Sequence, residues 1–265
     1  MPWFRCLALL ALLLPAALLA PSGPALAQDV DPTLEFFYPV VTRRPVIERE
    51  LEFKMKAAKS EGGSEYSFIG ALEYPILPWW QIELEVPIVS SQPTDSSSQT
   101  GVGDLTLENK FRLWQSLEHR AMVSAGLEFT LPSGSQSRGL GGLFAIEPFI
   151  TAAIALGPFD VIAELHYEWQ LNSPPDGGQK DEEIAGNLAI AYRLHRLFTP
   201  FLEVNTVALI QGNDLSLRGT PQVYLTPGFN VKPLPGMTLR AGVQLPVTGT
   251  REFDWTVHGG FVWEF

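Results

Sequence analysis

Beyond residue 46 the chain alternates apolar and polar residues over stretches of roughly ten to thirteen residues, each closed by glycine, proline or a polar cluster. Successive side chains on a strand point to opposite faces, so each stretch predicts a strand with one apolar and one polar face. About twelve strands are expected, over 47–57, 65–75, 79–90, 102–113, 120–131, 143–156, 159–170, 184–194, 200–211, 220–232, 237–247 and 253–265. The third sets Trp80, Ile82, Leu84, Val86 and Ile88 against Gln81, Glu83 and Glu85, and the seventh sets Val161, Ala163, Leu165, Tyr167 and Trp169 against Asp160, Glu164, His166, Glu168 and Gln170. The last turns Phe253, Trp255, Val257, Phe261, Trp263 and Phe265 to one side, with Asp254, Thr256, His258, Gly260 and Glu264 on the other. So many aromatics on one face suit a strand with hydrocarbon outside and water inside.

The connections sort by length. After even-numbered strands they are tight: Tyr74 to Pro78, Trp114 to Glu118, Gly157-Pro158, His195 to Pro200 and Pro233 to Gly236. After odd-numbered strands they are mostly longer and polar: Ser91 to Gly101, Pro132 to Gly142, Asn172 to Asp181 and Gln211 to Gly219. Short periplasmic turns alternating with long external loops are the signature of an outer-membrane barrel. The expected fold is all-β, a transmembrane antiparallel up-and-down β-barrel. Its lipid face carries almost no charge, with Asn109 and Thr206 as mild polar exceptions, whereas a Lys or Arg at mid-membrane costs about 2–4 kcal/mol. Tyr74, Trp80, Trp114, Phe159, Phe201 and Phe265 are expected in a periplasmic aromatic girdle, and Tyr66, Phe129, Trp169 and Phe253 in an external one. A soluble lipocalin-like barrel is the all-β alternative. It fills its interior with apolar residues, and pairs such as Glu83/Glu85 do not suit a dry core.

Composition adds the route to the membrane. Arg5, the apolar run Leu7 to Ala20 and Ala25-Leu26-Ala27 ahead of Gln28 form a secretory signal helix with an A-x-A cleavage site. Residues 1–27 are therefore read as a cleaved signal peptide, 28–46 as a periplasmic N-terminal lead and 47–265 as the barrel. Although 46% of the residues are hydrophobic, no stretch after the signal reaches the roughly 18 continuous apolar residues of a membrane helix, which leaves strands to do the crossing. Cys6 is the sole cysteine and lies in the signal, so no disulfide survives processing. A net charge of −11 argues against a nucleic-acid partner. The lead is acidic and aromatic at first, then basic at Arg43-Arg44, two residues suited to pairing with lumen acids in the periplasmic mouth or to a disordered tail.

Function is sought on the inward face. Its candidate transport residues are Glu83, Glu85, Asp104, Glu108, Lys110, Arg112, Glu128, Glu147, Asp160, Glu164, His166, Glu168, Arg193, Glu203 and Arg240. Acids outnumber bases there, which favours cations over anions in a water-filled lumen. Pairing of those charges across neighbouring strands into a closed plug is the opposing reading. Glu164-x-His166-x-Glu168 projects three ligand-type side chains to one side, but same-face neighbours on a strand stand nearly 7 Å apart and no second histidine is near, so lumen polarity is the simpler account and no metal site or cofactor is expected. No H-E-x-x-H, G-x-S-x-G or phosphate-binding glycine loop is present, which speaks against an enzyme. A hydrolase with its triad spread over several strands is the residual catalytic alternative.

Two resemblances complete the reading. The last eight residues, with His258, Gly260, Trp263 and terminal Phe265, resemble the C-terminal signal of bacterial outer-membrane barrels, which implies recognition by the barrel-assembly machinery. Gly101-Val102-Gly103-Asp104-Leu105, continued by Thr106-Leu107-Glu108-Asn109-Lys110-Phe111, resembles a recurring strand of an outer-membrane family of transporters linked to the meta-pathway of phenol degradation. That resemblance implies the barrel and a transport role, and names no cargo. The expectation is a Gram-negative outer-membrane channel for small neutral or cationic solutes, in contact with outer-membrane lipid. A non-conducting barrel acting through its external loops is the alternative.

Overall fold

The computed structural model describes residues 34–173 and 180–265; the signal segment, the lead before Leu34 and the centre of the loop expected at Asn172 to Asp181 lie outside them. The described strands are β1 (Glu50–Ser60), β2 (Gly63–Leu77), β3 (Trp80–Pro93), β4 (Gln99–Val102), β5 (Leu105–Ser116), β6 (Ala121–Leu131), β7 (Ala145–Leu156), β8 (Phe159–Gln170), β9 (Glu182–Tyr192), β10 (Phe198–Gln211), β11 (Gln222–Leu234), β12 (Met237–Pro246) and β13 (Trp255–Glu264). Both β4 and β5 pair with β3, and they are two halves of one stave interrupted at Gly103-Asp104. Every pairing is antiparallel and follows chain order, and β1 pairs with both β2 and β13, so the sheet closes into a 12-strand barrel. Closure pairs the long staves on both sides, as a bilayer demands, while the short β4 pairs with β3 alone.

The faces are inverted relative to a soluble barrel. Leu165 is 51% exposed while Glu164 beside it is 6% exposed, and Leu202 is 45% exposed against 0% for Glu203. Apolar side chains thus point outward and ionisable ones inward. The hairpin joining β1 to β2 is only Glu61-Gly62, because both strands run past their expected ends. β3 likewise extends to Pro93 and pairs with β4, which shortens the expected 91–101 loop to 94–98.

Three expected placements are corrected. Phe201 is buried inside the barrel, 5.4 Å from the Phe37 ring centre to centre, rather than in the periplasmic girdle. It shares parity with inward Glu203 and Asn205, so position on the strand decides its direction and nearness to the strand end does not. Phe253 and Asp254 precede β13 rather than belonging to it: Phe253 stacks at 4.4 Å on Tyr224, a buried ring, and Asp254 pairs with Arg251. Trp79, Tyr192, Phe198, Phe229 and Trp263 join Tyr74, Trp114, Phe159 and Phe265 as exposed aromatics near the end of the barrel that carries the short turns.

Residues 34–49 enter the lumen instead of hanging below it. Leu34, Phe36, Phe37 and Val46 pack with Met122, Ile162, Phe201 and the small residues Ala153, Ala155, Ala189 and Ala191, forming an apolar cluster inside the barrel. The alanines of β7 and β9 leave the space that these larger side chains fill.

Candidate functional site: a glutamate stair and the segment lying on it

The registers of neighbouring strands line up glutamates. Glu264 lies opposite Glu50, Glu50 opposite Glu73, Glu73 opposite Glu83, Glu83 opposite Glu108, Glu108 opposite Glu128 and Glu128 opposite Glu147. Hydrogen-bonded neighbours follow the pleat, and staves of a closed barrel tilt, so such a line climbs as it turns. It starts at Glu264 and Glu50, the last residue of β13 and the first of β1, beside the C-terminus, and reaches Glu147, the third residue of β7, beside the long loops. Beyond it Glu168 of β8 faces Glu183 of β9. Like charges directly opposite on neighbouring strands are destabilising unless cations lie among them.

Cations do lie among them. Lys54 Nζ stands 3.0 Å from Glu52, 3.3 Å from Glu83 and 2.5 Å from Glu85, and Lys110 Nζ stands 3.4 Å from Glu73 and 3.8 Å from Glu108. Arg240 pairs with Glu52 and donates to the Pro39 carbonyl. Glu52, Glu73 and Glu83 each offer an oxygen within 4.8 Å of the others, the described group best spaced for a metal ion. Lys54 and Lys110 already bring positive charge to it.

The lead supplies the remaining charges. Arg43 Nε is 3.1 Å from Glu108, Nη2 is 2.7 Å from Glu128, and Nη1 is 2.6 Å from Glu147 and 2.9 Å from Glu164. Glu164 also accepts the Arg43 backbone N–H at 2.8 Å, and Thr151 donates to the Arg43 carbonyl. Burial opposes the Arg43 charge, but Glu128, Glu147, Glu164 and Glu108 overcome it and hold the guanidinium well above its ordinary value. Arg44 lies 3.6 Å over the Tyr38 ring and 2.9 Å from Glu48. Burial opposes ionisation of Glu48 too, yet Arg44, with hydrogen bonds from its own side chain, Glu50 and Tyr38, keeps that carboxyl below its usual range. The Tyr38 hydroxyl lies 3.1, 3.0 and 2.6 Å from carboxylate oxygens of Glu48, Glu50 and Glu264, with its one hydrogen to share among them, and burial first, then those carboxylates, push its pKa well up. Glu203 accepts the N–H groups of Val40 and Thr42 and the Thr42 hydroxyl, at 2.7, 2.8 and 2.6 Å.

The remaining predicted residues divide. Asp160 and Arg193 pair with each other near the mouth, where Arg193 also donates to the Glu35 carbonyl. A cavity of about 950 Å³ opens there between Phe36, Phe37, Arg120, Arg193, Arg196 and Lys232. Arg112 is partly buried, and its Nη1 has no hydrogen-bond partner among the described residues. His166 Nδ1 contacts Glu164 at 3.0 Å, which draws His166 into the polar wall instead of a ligand set with Glu168. His258 and Gly260 face inward, His258 on Gln244 and Gly260 beside Arg240, whereas Trp263 and Phe265 are exposed. Asp104 does not join the lumen charges. Its carboxylate accepts N–H groups of Gly134, Gly142 and Leu143, each at 2.8 Å, and so folds the loop after β6. Gly141 turns at φ 143°, and a Cβ there would lie 2.6 Å from that carboxylate.

Sequence reasoning overlooked a belt of amides. Asn187 donates to Glu164, Asn205 to Asn187, Thr226 and Gln244 to Asn205, and Gln244 meets His258. These residues carry no charge, so only their inward parity marked them.

A family model described as "Putative MetA-pathway of phenol degradation" matches residues 54–256. No curated relative matches the sequence. Among solved structures, an outer-membrane channel from Pseudomonas putida F1 superposes with a TM-score of 0.66 at 16% identity, covering 87% of this chain and 100% of that one. The NanC porin gives 0.56 at 11% identity over 80% of this chain and 98% of that one, and the KdgM porin 0.52 at 10% over 82% and 99%. At such identities the likeness is one of fold.

Proposed function

Because the chain belongs to this phenol-degradation MetA family and has an outer-membrane barrel fold, we propose that it is a channel for small neutral or cationic solutes. The observation that carries the reading is the glutamate stair, a line of carboxylates joining one end of the lumen to the other. Acidic linings raise local cation concentration and replace part of the hydration shell of a passing cation. The lead narrows the path and offsets part of its charge through Arg43 and Arg44. Channel and porin neighbours support transport over catalysis. The test is the reversal potential of the purified full-length chain in planar bilayers under a salt gradient: cation preference is expected, and anion preference would refute the solute charge assigned here.

A second reading, a non-conducting barrel acting through its external loops, draws on the same lead, whose aromatic and charged residues occupy the lumen. Under that reading the full-length chain carries no current in any salt.

A further inference from the structure

Arg43 belongs to the lead, yet its ion-pair partners belong to the barrel. Glu108, Glu128, Glu147 and Glu164 come from the consecutive staves β5, β6, β7 and β8, and each of the three guanidinium nitrogens has a carboxylate of its own. The Phe149 ring lies beneath, 4.6 Å from the guanidinium carbon. That ring fits because Gly126 faces it: a Cβ there would come within 2.3 Å of Phe149. An aromatic floor and a fan of carboxylates complement a flat, forked cation better than a compact ammonium or a metal ion, neither of which presents donors in three in-plane directions. Arg43 and Lys110 are the only described cations whose ion pairs reach any of these four carboxylates, apart from the His166 ring. Four carboxyl groups thus face one guanidinium.

We propose that this seat is a binding station for small solutes bearing a guanidinium group, and that Arg43 of the lead fills it as a built-in competitor. A solute of that class takes the same carboxylates and the same ring when the lead withdraws. The role in permeation rests on the channel reading above; the binding itself does not.

The test uses the full-length chain in detergent with methylguanidinium and methylammonium as probes, read by calorimetric titration and thermal unfolding. Arg43→Ala is expected to bind methylguanidinium at least about tenfold tighter than methylammonium, since only the former presents in-plane donors to several of these carboxylates at once. The wild type is expected to bind neither, and Arg43→Ala combined with Glu128→Gln and Glu164→Gln is expected to lose the binding. Arg43→Lys keeps a charge in the seat without the fork, and methylguanidinium is expected to displace it should Arg43→Ala fail to fold. Equal affinity for the two probes, equal binding by the wild type, or no binding by either foldable variant would overturn the proposal. Binding without conductance would sink the channel reading and leave the seat standing.

Discussion

Within the lead, Glu48 is the carboxylate that holds Arg44 and the Tyr38 hydroxyl together. Its folded value is lowered, so its contribution is present above the ordinary glutamate value of about 4.3 and is lost as pH falls through the lower folded value. Arg43 and Arg44 are shifted the other way, upward, and keep their contribution everywhere below their ordinary range. Acidification below about pH 4 should therefore speed amide exchange of residues 36–49, after correction for the intrinsic rate, and Glu48→Gln should flatten that dependence. An unchanged acid response in Glu48→Gln would place the sensitivity elsewhere. Asp104 gives a second test. Three backbone N–H groups converge on its carboxylate, and hydrogen bonds to a charged group are worth roughly 1.5–3 kcal/mol each. Asp104→Ala should free the loop after β6, so that trypsin cuts after Arg138 many times faster, while a lumen residue would alter current and leave the loop intact. The G-x-G-D stretch was legible as a family likeness, but its acid was assigned to the lumen, because parity cannot describe a residue at which the strand is interrupted.

The lead is the element that most alters the reading. Its aromatics are anchored by burial as well as by charge, with Phe37 against Phe201 and the alanines of β7 and β9. Phe37→Ala removes a large buried side chain and should cost about 3–5 kcal/mol of lead docking. Faster exchange confined to residues 34–49, with barrel strands still protected, is the expected outcome; protection lost throughout would make the lead part of the barrel's cooperative core. The strands were visible in sequence because alternation is a local property of each one. Their ends were less visible, since the Glu61-Gly62 hairpin and the β3–β4 pairing depend on partners. The glutamate stair was not visible at all. Each glutamate could be assigned inward from its own strand, but their alignment comes from the registers between strands, which barrel closure fixes.

On the scale of the whole molecule, two inversions sit inside one another. The barrel turns apolar residues to lipid and acids to the lumen, and the lead turns aromatics and arginines back onto that acidic wall. The first inversion follows from period-two patterning and was legible from residue 47 onward. The second is tertiary: Arg43 and Arg44 announced themselves as partners for acids, but which four carboxylates meet Arg43 depends on the closed barrel. The central claim is an acidic pathway through the barrel that the lead narrows. Its most direct test compares single-channel conductance and reversal potential of the full-length chain with a variant lacking residues 34–46. Larger conductance with a stronger preference for cations in the shortened chain is the predicted result; equal conductance in the two, or preference for anions in the shortened chain, would contradict it.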